Sequence, residues 1–283
     1  MDMNMNKIFS KSLLAAGLLG LATVAQGTTV TFDDTILGGD NIFDFDNMSL
    51  LSNTATVTQT DSNGDGLLTG PDDFIEVGIT GVVSFNEEIG TIQNAINPLI
   101  TGLNSEYQLF FTLSLSGTAD FSAPIPGLIL GNIQFDTTMS SLDFFYDTDL
   151  TAGLQAGASS LGSIVLSGSP NVCNSSSISA PLGPISTTGA CLLTGDFAAT
   201  AGIFSAYGTD LSMLPDVKMD FDINIDEFTP ALSFVYEDGP FSSQVINVEH
   251  DGSAEIVVPE PSSLAILGLG LIGLGLSRRR KVL

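Results

Sequence analysis

The clearest pattern in the sequence is an alternation of apolar and polar residues in the second half of the chain. Between residues 216 and 226 every odd position is apolar and every even position is polar. A period of two is typical of a strand that buries one face and exposes the other. The same alternation predicts a strand at residues 108–117, and shorter runs predict strands at 28–32, 77–85, 163–167, 231–236 and 253–258.

One segment has helical spacing instead. Apolar residues recur there at positions 89, 92, 96, 99 and 103, which places them on one face of a helix. Glu87 and Glu88 would interact favourably with the N-terminal end of its dipole, and Pro98 would kink or divide it. We therefore predict a mostly β domain, an antiparallel β-sandwich with one short helix at about residues 87–103.

The N-terminus has the features of a secretory signal peptide. Lys7 and Lys11 precede the apolar stretch 13–24, and the small residues Ala25 and Gly27 suit signal-peptidase cleavage. The stretch is too short to cross a bilayer comfortably. We predict a signal peptide at residues 1–27; the alternative is a buried N-terminal helix.

A second apolar segment, at the C-terminus, lies between a Pro-Glu-Pro box and a basic cluster. The box consists of Pro259, Glu260 and Pro261. Sixteen mostly apolar residues follow, and as a helix they would measure about 24 Å, short of a hydrocarbon core of ~30 Å. The basic residues after them would complete the span by snorkelling and keep the C-terminus in the cytoplasm. These residues are Arg278, Arg279, Arg280 and Lys281.

This tail resembles the PEP-CTERM sorting signal, in which the same three parts occur in the same order and at the same spacing. The resemblance divides the chain into the signal peptide, an acidic extracellular domain at residues 28–258 and a sorting segment at 259–283. It implies a Gram-negative bacterium that makes exopolysaccharide, an inner-membrane intermediate, processing by an exosortase at the box, and export to the cell surface or beyond. An ordinary C-terminal membrane anchor is the alternative.

Charge distinguishes the domain from the two ends of the chain. The chain has 32 acidic and 7 basic residues, and every basic residue except Lys218 lies in a terminal segment. Without Asp2 and Glu260, 30 acids and one lysine remain between residues 28 and 258, a charge near −29. Nucleic acid is excluded as a partner, because its phosphates must be neutralised by Lys and Arg. Multivalent cations or basic partners are favoured, or the charge simply keeps an exported protein in solution.

An acidic segment at residues 61–72 matches the ligand spacing of an EF-hand-type calcium loop. The predicted ligands are Asp61, Asn63, Asp65, the Leu67 carbonyl, Thr69 and Asp72. Because an aspartate stands at the twelfth position, where glutamate is usual, and the flanking segments look extended, we expect weak Ca²⁺ binding in a loop between two strands. The alternative is an Asx-rich turn without metal.

The two cysteines, Cys173 and Cys191, lie in a Ser-, Gly- and Pro-rich insert. In an oxidising compartment they would form a disulfide that contributes about 3 kcal/mol. The alternative is that the two thiols are free or unrelated.

Signatures of catalysis are few. His250 is the only histidine, and the chain has neither a G-x-S-x-G elbow nor any tryptophan for stacking on sugars. Carboxylate pairs suited to glycoside hydrolysis could be drawn from any part of so acidic a chain, so they carry little information. We predict a non-catalytic protein; the alternative is a secreted hydrolase that acts on matrix polysaccharide.

The domain resembles the flocculation-associated PEP-CTERM proteins. The resemblance covers about half of the chain in short pieces and does not include the insert that contains the cysteines. It implies a role in floc or biofilm matrix, where exopolysaccharide holds cells together, and it supplies no established catalytic residues. The pieces are the acidic loop with 74–78, residues 103–110, 195–197 and 250–253, and the acidic strand after Leu214.

Overall fold

The computed structural model describes residues 28–65, 71–89, 92–125, 128–150, 157–169, 171–178, 186–229 and 243–259. The predicted signal peptide, the predicted ligands Leu67 and Thr69, the predicted strand at 231–236 and the sorting segment from Glu260 onward lie outside these residues. No helix within the described part has both the length and the apolar character needed to cross a membrane.

Most of the described residues lie in strands. The first strands are β1 (Val30–Asp33), β2 (Ile42–Phe45), β3 (Asn47–Thr60), β4 (Asp72–Ile89) and β5 (Ile92–Ala95), followed by the one-turn helix α1 (Pro98–Thr101). Next come β6 (Gln108–Ile125), β7 (Leu128–Phe135), β8 (Ser141–Asp147), β9 (Ser159–Leu166), β10 (Val172–Ile178) and β11 (Ser186–Ala199). The last are β12 (Phe204–Ala206), β13 (Thr209–Asp210), β14 (Lys218–Thr229) and β15 (Ser243–Val257).

Eight of these strands form a closed antiparallel ring. Their order is β6, β8, β9, β11, β14, β15, β3 and β4, and β4 pairs again with β6. The prediction of a mostly β fold is confirmed, but the sheet closes into a barrel and does not divide into the two layers of the predicted sandwich. Inward and outward residues alternate in both architectures, so alternation alone does not distinguish them. The pairing of β4 with β6 identifies the barrel, because it closes the sheet.

Two long strands of this ring, β6 and β11, each change their pairing partner along their length. The first part of β6 pairs with β8 and its later part pairs with β7. In the same way, β11 pairs with β9 near its end and with β10 near its beginning. Because β7 also pairs with β10, these two strands replace β8 and β9 along the other half of the barrel.

The barrel has two ends that differ in their side chains. At one end β3 begins, β4 ends and Asn47 pairs with Asn86; we call it the aromatic end. At the opposite end β3 ends, β4 begins and Thr60 pairs with Asp73; we call it the loop end. The candidate metal ligands at residues 61–72 therefore belong to the loop end.

A second sheet, in the order β13, β12, β1 and β2, packs on the aromatic end. Phe32 and Phe204 of this sheet have ring centroids 5.4 Å apart. Phe85, at the end of β4, lies 4.7 Å from Phe43 and 4.8 Å from Phe45 between ring centroids, both in edge-to-face contact. The small sheet thus buries its aromatic face against the barrel.

The barrel interior between the ends is filled by the residues that the alternation indicates. On β6 and β14 the buried side chains include Leu109, Phe111, Leu113, Leu115, Met219, Phe221 and Ile223. Phe111 stacks on Phe144 of β8 at 4.1 Å between ring centroids and meets Phe221 edge-on. The strands predicted at 108–117 and 216–226 are therefore confirmed, with their apolar faces turned inward.

The helix predicted at about residues 87–103 is wrong. Its first part is the β4–β5 hairpin, in which Ile89 pairs with Ile92. Only α1 is helical, and it begins where the Asn97 side chain accepts a hydrogen bond from the Leu99 N–H at 3.0 Å. Pro98 explains the late start, because a residue before proline is restricted to extended conformations, and Asn97 has φ −56° and ψ 122°.

Candidate functional site

The acidic loop begins directly after the β3–β4 hairpin pairing of Thr60 with Asp73. Its first residues form tight turns. The Gly64 N–H donates to Asp61 Oδ1 at 2.7 Å, and the Asp65 N–H donates to Asn63 Oδ1 at 2.8 Å. Gly64 has φ 75°, a left-handed conformation that glycine adopts without strain. These contacts hold the three predicted ligands of the loop on one short segment.

Asp72 closes the loop from the other side and is fully buried. It is the first residue of β4 and faces inward, in phase with Phe74 and Glu76. Its Oδ1 accepts a hydrogen bond from the Ser62 N–H at 3.3 Å, whereas its Oδ2 is buried without a hydrogen-bond partner. An unpaired carboxylate oxygen in such a place is costly.

The electrostatics of Asp72 link it to the rest of the loop. Burial raises the pKa of its carboxyl above the usual range. The negative charges of Asp61 and Asp65 raise the Asp72 pKa further, because like charges disfavour ionisation. The three predicted carboxylate ligands are therefore close enough to repel one another.

The structure places the four described ligand residues, Asp61, Asn63, Asp65 and Asp72, at one hairpin mouth. It does not bring them into a ligand sphere: within the described residues no three Asp, Glu, His or Cys side chains converge closely enough to hold a metal ion.

The sequence did not predict two further acidic residues that face the barrel interior. Glu76 is 6% exposed, and it lines a cavity together with Thr80 and Asp251 among apolar side chains. Asp251 Oδ1 is buried without a hydrogen-bond partner. The cavity has room for about one water molecule, much less than a sugar ring would need.

The reason Glu76 faces inward is a reversal of the expected pattern in β4. Its neighbours Ile75 and Val77 are each 56% exposed, although they are apolar. Gly78 shares the inward face, where a Cβ atom would lie 2.8 Å from the Ala55 Cβ. Only glycine fits that close approach of β3 and β4. The close approach at Gly78 and the burial of Phe74 determine which face of β4 points inward. Glu76 lies on the same face and therefore points inward too.

The outer surface of the barrel also concentrates acids. Glu255 on β15 pairs across the strands with Asp220 on one side and Asn47 on the other. Partial burial raises the pKa of Glu255, and the charges of Asp220, Glu88 and Asp46 add to the rise. Lys218, the single basic residue between positions 28 and 258, forms an ion pair with Asp196 at 2.7 Å.

Cys173 and Cys191 lie opposite each other on β10 and β11, with their Cα atoms 4.0 Å apart, and a disulfide joins them. Both are buried, and Cys191 lines the same cavity as Glu76. The disulfide therefore links β10 to β11 in the half of the barrel in which β7 and β10 replace β8 and β9.

The two ends of the domain lie side by side. The Thr28 hydroxyl donates to the Val258 carbonyl at 3.3 Å. Val258 is buried, whereas Pro259, the first residue of the predicted box, is exposed. The box thus begins directly after the last residue of the compact unit Gly27–Val258. The side chain of His250 lies outside the described part, so the structure assigns it no role.

Comparison with known protein families gives a match at the C-terminus. The PEP-CTERM protein-sorting motif matches residues 257–281, which contain the Pro-Glu-Pro box, the apolar stretch and the basic cluster. The resemblance of the tail to this signal is therefore confirmed. No curated protein and no solved structure matches the chain.

Proposed function

We propose that this chain, which carries the PEP-CTERM protein-sorting motif of exported exosortase substrates, is a non-catalytic component of floc or biofilm matrix. The motif implies export through a membrane-anchored intermediate to the cell surface. At the surface, we propose, the domain associates with exopolysaccharide and helps cells to aggregate.

The observation that carries the proposal is the motif itself, which assigns the chain to the cell surface. The charge of the domain supports the finer step. Its 30 acids against one lysine leave a polyanion that divalent cations would bridge to acidic polysaccharide or to neighbouring copies. A single observation supports the non-catalytic part of the proposal: the cavity lined by Glu76 and Asp251 is too small for a sugar ring.

A deletion strain scored for aggregation tests the proposal. The wild-type gene should restore aggregation, and a Glu260→Ala variant should fail because the protein stays in the inner membrane. Glu255→Gln is the matched control, since it removes a nearby glutamate charge outside the matched motif. If the deletion strain aggregates normally, the matrix role is wrong; if the Glu260→Ala protein is still processed and exported, the role of the box is wrong.

A secreted hydrolase is the second candidate, and it requires that the cavity lined by Glu76 and Asp251 open to admit a sugar ring. Two carboxylates are the usual catalytic pair of glycoside hydrolases. The test is a panel of polysaccharides incubated with the exported protein and with a Glu76→Gln variant. Reproducible turnover that the substitution abolishes would favour the hydrolase over the matrix protein.

A further inference from the structure

We propose that the loop end of the barrel binds one Ca²⁺ ion between β3 and β4, through Asp61, Asn63, Asp65 and Asp72. The inference does not depend on the proposed matrix function, because it rests on the hairpin alone. It also holds if the exported protein has another role.

The hairpin brings the ligands together from its two arms. Thr60 pairs with Asp73, so Asp61 and Asp72 are the next residues on opposite sides of the mouth. Ser62 joins the arms twice: its N–H donates to Asp72 Oδ1 at 3.3 Å, and its Oγ accepts from the Asp73 N–H at 3.0 Å. The carboxylate of Asp72 is thereby held against the backbone of the acidic loop.

Asp72 Oδ2 gives evidence for a bound cation that is independent of the ligand spacing. This oxygen is buried and has no hydrogen-bond partner, and its residue is fully buried. A bound cation would give it one and would offset its repulsion from Asp61 and Asp65. Lys218 is the only lysine or arginine among the described residues, and it lies at the aromatic end in an ion pair with Asp196. The positive charge must come from solution.

The donor set selects the kind of cation. Three carboxylates and one amide supply only hard oxygen ligands, which suit Ca²⁺ and Mg²⁺ and not the softer transition metals. Ca²⁺ accepts irregular coordination by six to eight oxygens, whereas Mg²⁺ requires a near-ideal octahedron. The described ligands have not converged, so binding includes a rearrangement of the loop. An irregular, adaptable site of this type favours Ca²⁺ and low affinity.

The first test is calcium titration of the exported protein by calorimetry and thermal melting. We expect a dissociation constant of ~10⁻⁴ to 10⁻³ M, and a rise in Tm on the order of 5 °C at millimolar excess. An Asp61→Asn/Asp65→Asn variant should lose both signals, although asparagine oxygens can keep the turn hydrogen bonds. The control is Asp216→Asn/Asp222→Asn, which removes two exposed charges, one just before β14 and one within it, and should behave like wild type.

A single substitution separates a metal ligand from a turn residue. Asp72→Asn removes a buried charge, so we expect a higher Tm without calcium together with loss of the calcium-dependent shift. Magnesium at equal ionic strength measures diffuse screening. If calcium stabilises wild type and the Asp61→Asn/Asp65→Asn variant equally, or if magnesium matches calcium in wild type, the loop is only a turn and the proposal is overturned.

Discussion

Along β3 and β4, the aromatic end and the loop end of the barrel bury different side chains. At the aromatic end Phe85 of β4 packs against Phe32 of the small sheet at 5.9 Å between ring centroids. At the loop end, β3 and β4 turn Gln59, Asp72 and Glu76 inward, and these residues are 0%, 0% and 6% exposed. One strand, β4, therefore carries both an aromatic anchor and buried acids.

The contrast indicates a division of roles. Burying an aromatic ring stabilises the fold by removing apolar surface from water. Burying a carboxylate costs free energy unless a partner compensates it. We infer that the aromatic end supplies much of the stability of the domain, whereas the loop end makes its stability depend on ions in the medium.

Truncation of the aromatic anchor should have the largest effect. Phe85→Ala removes the ring that contacts Phe43 and Phe45, and we expect a loss of about 3–5 kcal/mol in the free energy of unfolding. Urea denaturation measures it. Val83→Ala on the same strand is the control, because Val83 is 37% exposed and should cost much less. Equal costs for the two variants would show that the aromatic end is not the anchor.

Removal of the disulfide should have the next largest effect. Replacing Cys173 and Cys191 together by alanine should lower the free energy of unfolding by about 3 kcal/mol. Hydrogen exchange sharpens the comparison, because amides of β10 and β11 should exchange faster after reduction while those of β1 and β12 stay protected. Uniform deprotection of all four strands would contradict this local role.

The smallest effect concerns Glu255 on the outer surface. Its pKa is raised above the ordinary value of 4.5, so the folded state binds a proton more tightly than the unfolded chain. The stability of the domain should therefore fall as the pH rises from 4.5 through the raised pKa. Glu255→Gln should flatten this slope and stabilise the protein by less than about 1 kcal/mol at neutral pH. Melting curves across this pH range measure the slope, with Asp216→Asn as the control. If Glu255→Gln leaves the pH dependence of stability unchanged, the raised pKa of Glu255 is not its cause.

Local patterns allowed part of the fold to be predicted. The alternation of β14 and β6 correctly predicts strands and their buried faces, because a half-buried strand imposes a period of two. The barrel could not be predicted, since closure depends on the pairing of β4 with β6, a contact between distant segments. The spacing of apolar residues at 89–103 led to the wrong prediction of a helix. The same spacing occurs here in a hairpin that is followed by one helical turn.

The same distinction holds for the candidate site. Asp61, Asn63, Asp65 and Asp72 lie within twelve residues, so their spacing alone indicates that they share a hairpin. That Glu76 and Asp251 line one cavity could not be predicted, because the order β15, β3, β4 in the sheet places positions far apart in the chain around the same interior. The inward direction of Glu76 was also hidden, since Ile75 and Val77 beside it suggest the opposite face.

Mass spectrometry of the exported protein tests the central claim, that the chain is sorted through its C-terminal motif, most directly. The mature protein should begin near Thr28 and end at or near Pro259, Glu260 and Pro261, because the motif matches residues 257–281 and the compact unit ends at Val258. A Glu260→Ala variant analysed in parallel should yield no such product outside the cell. An exported protein whose C-terminus is intact through Leu283 would contradict the account.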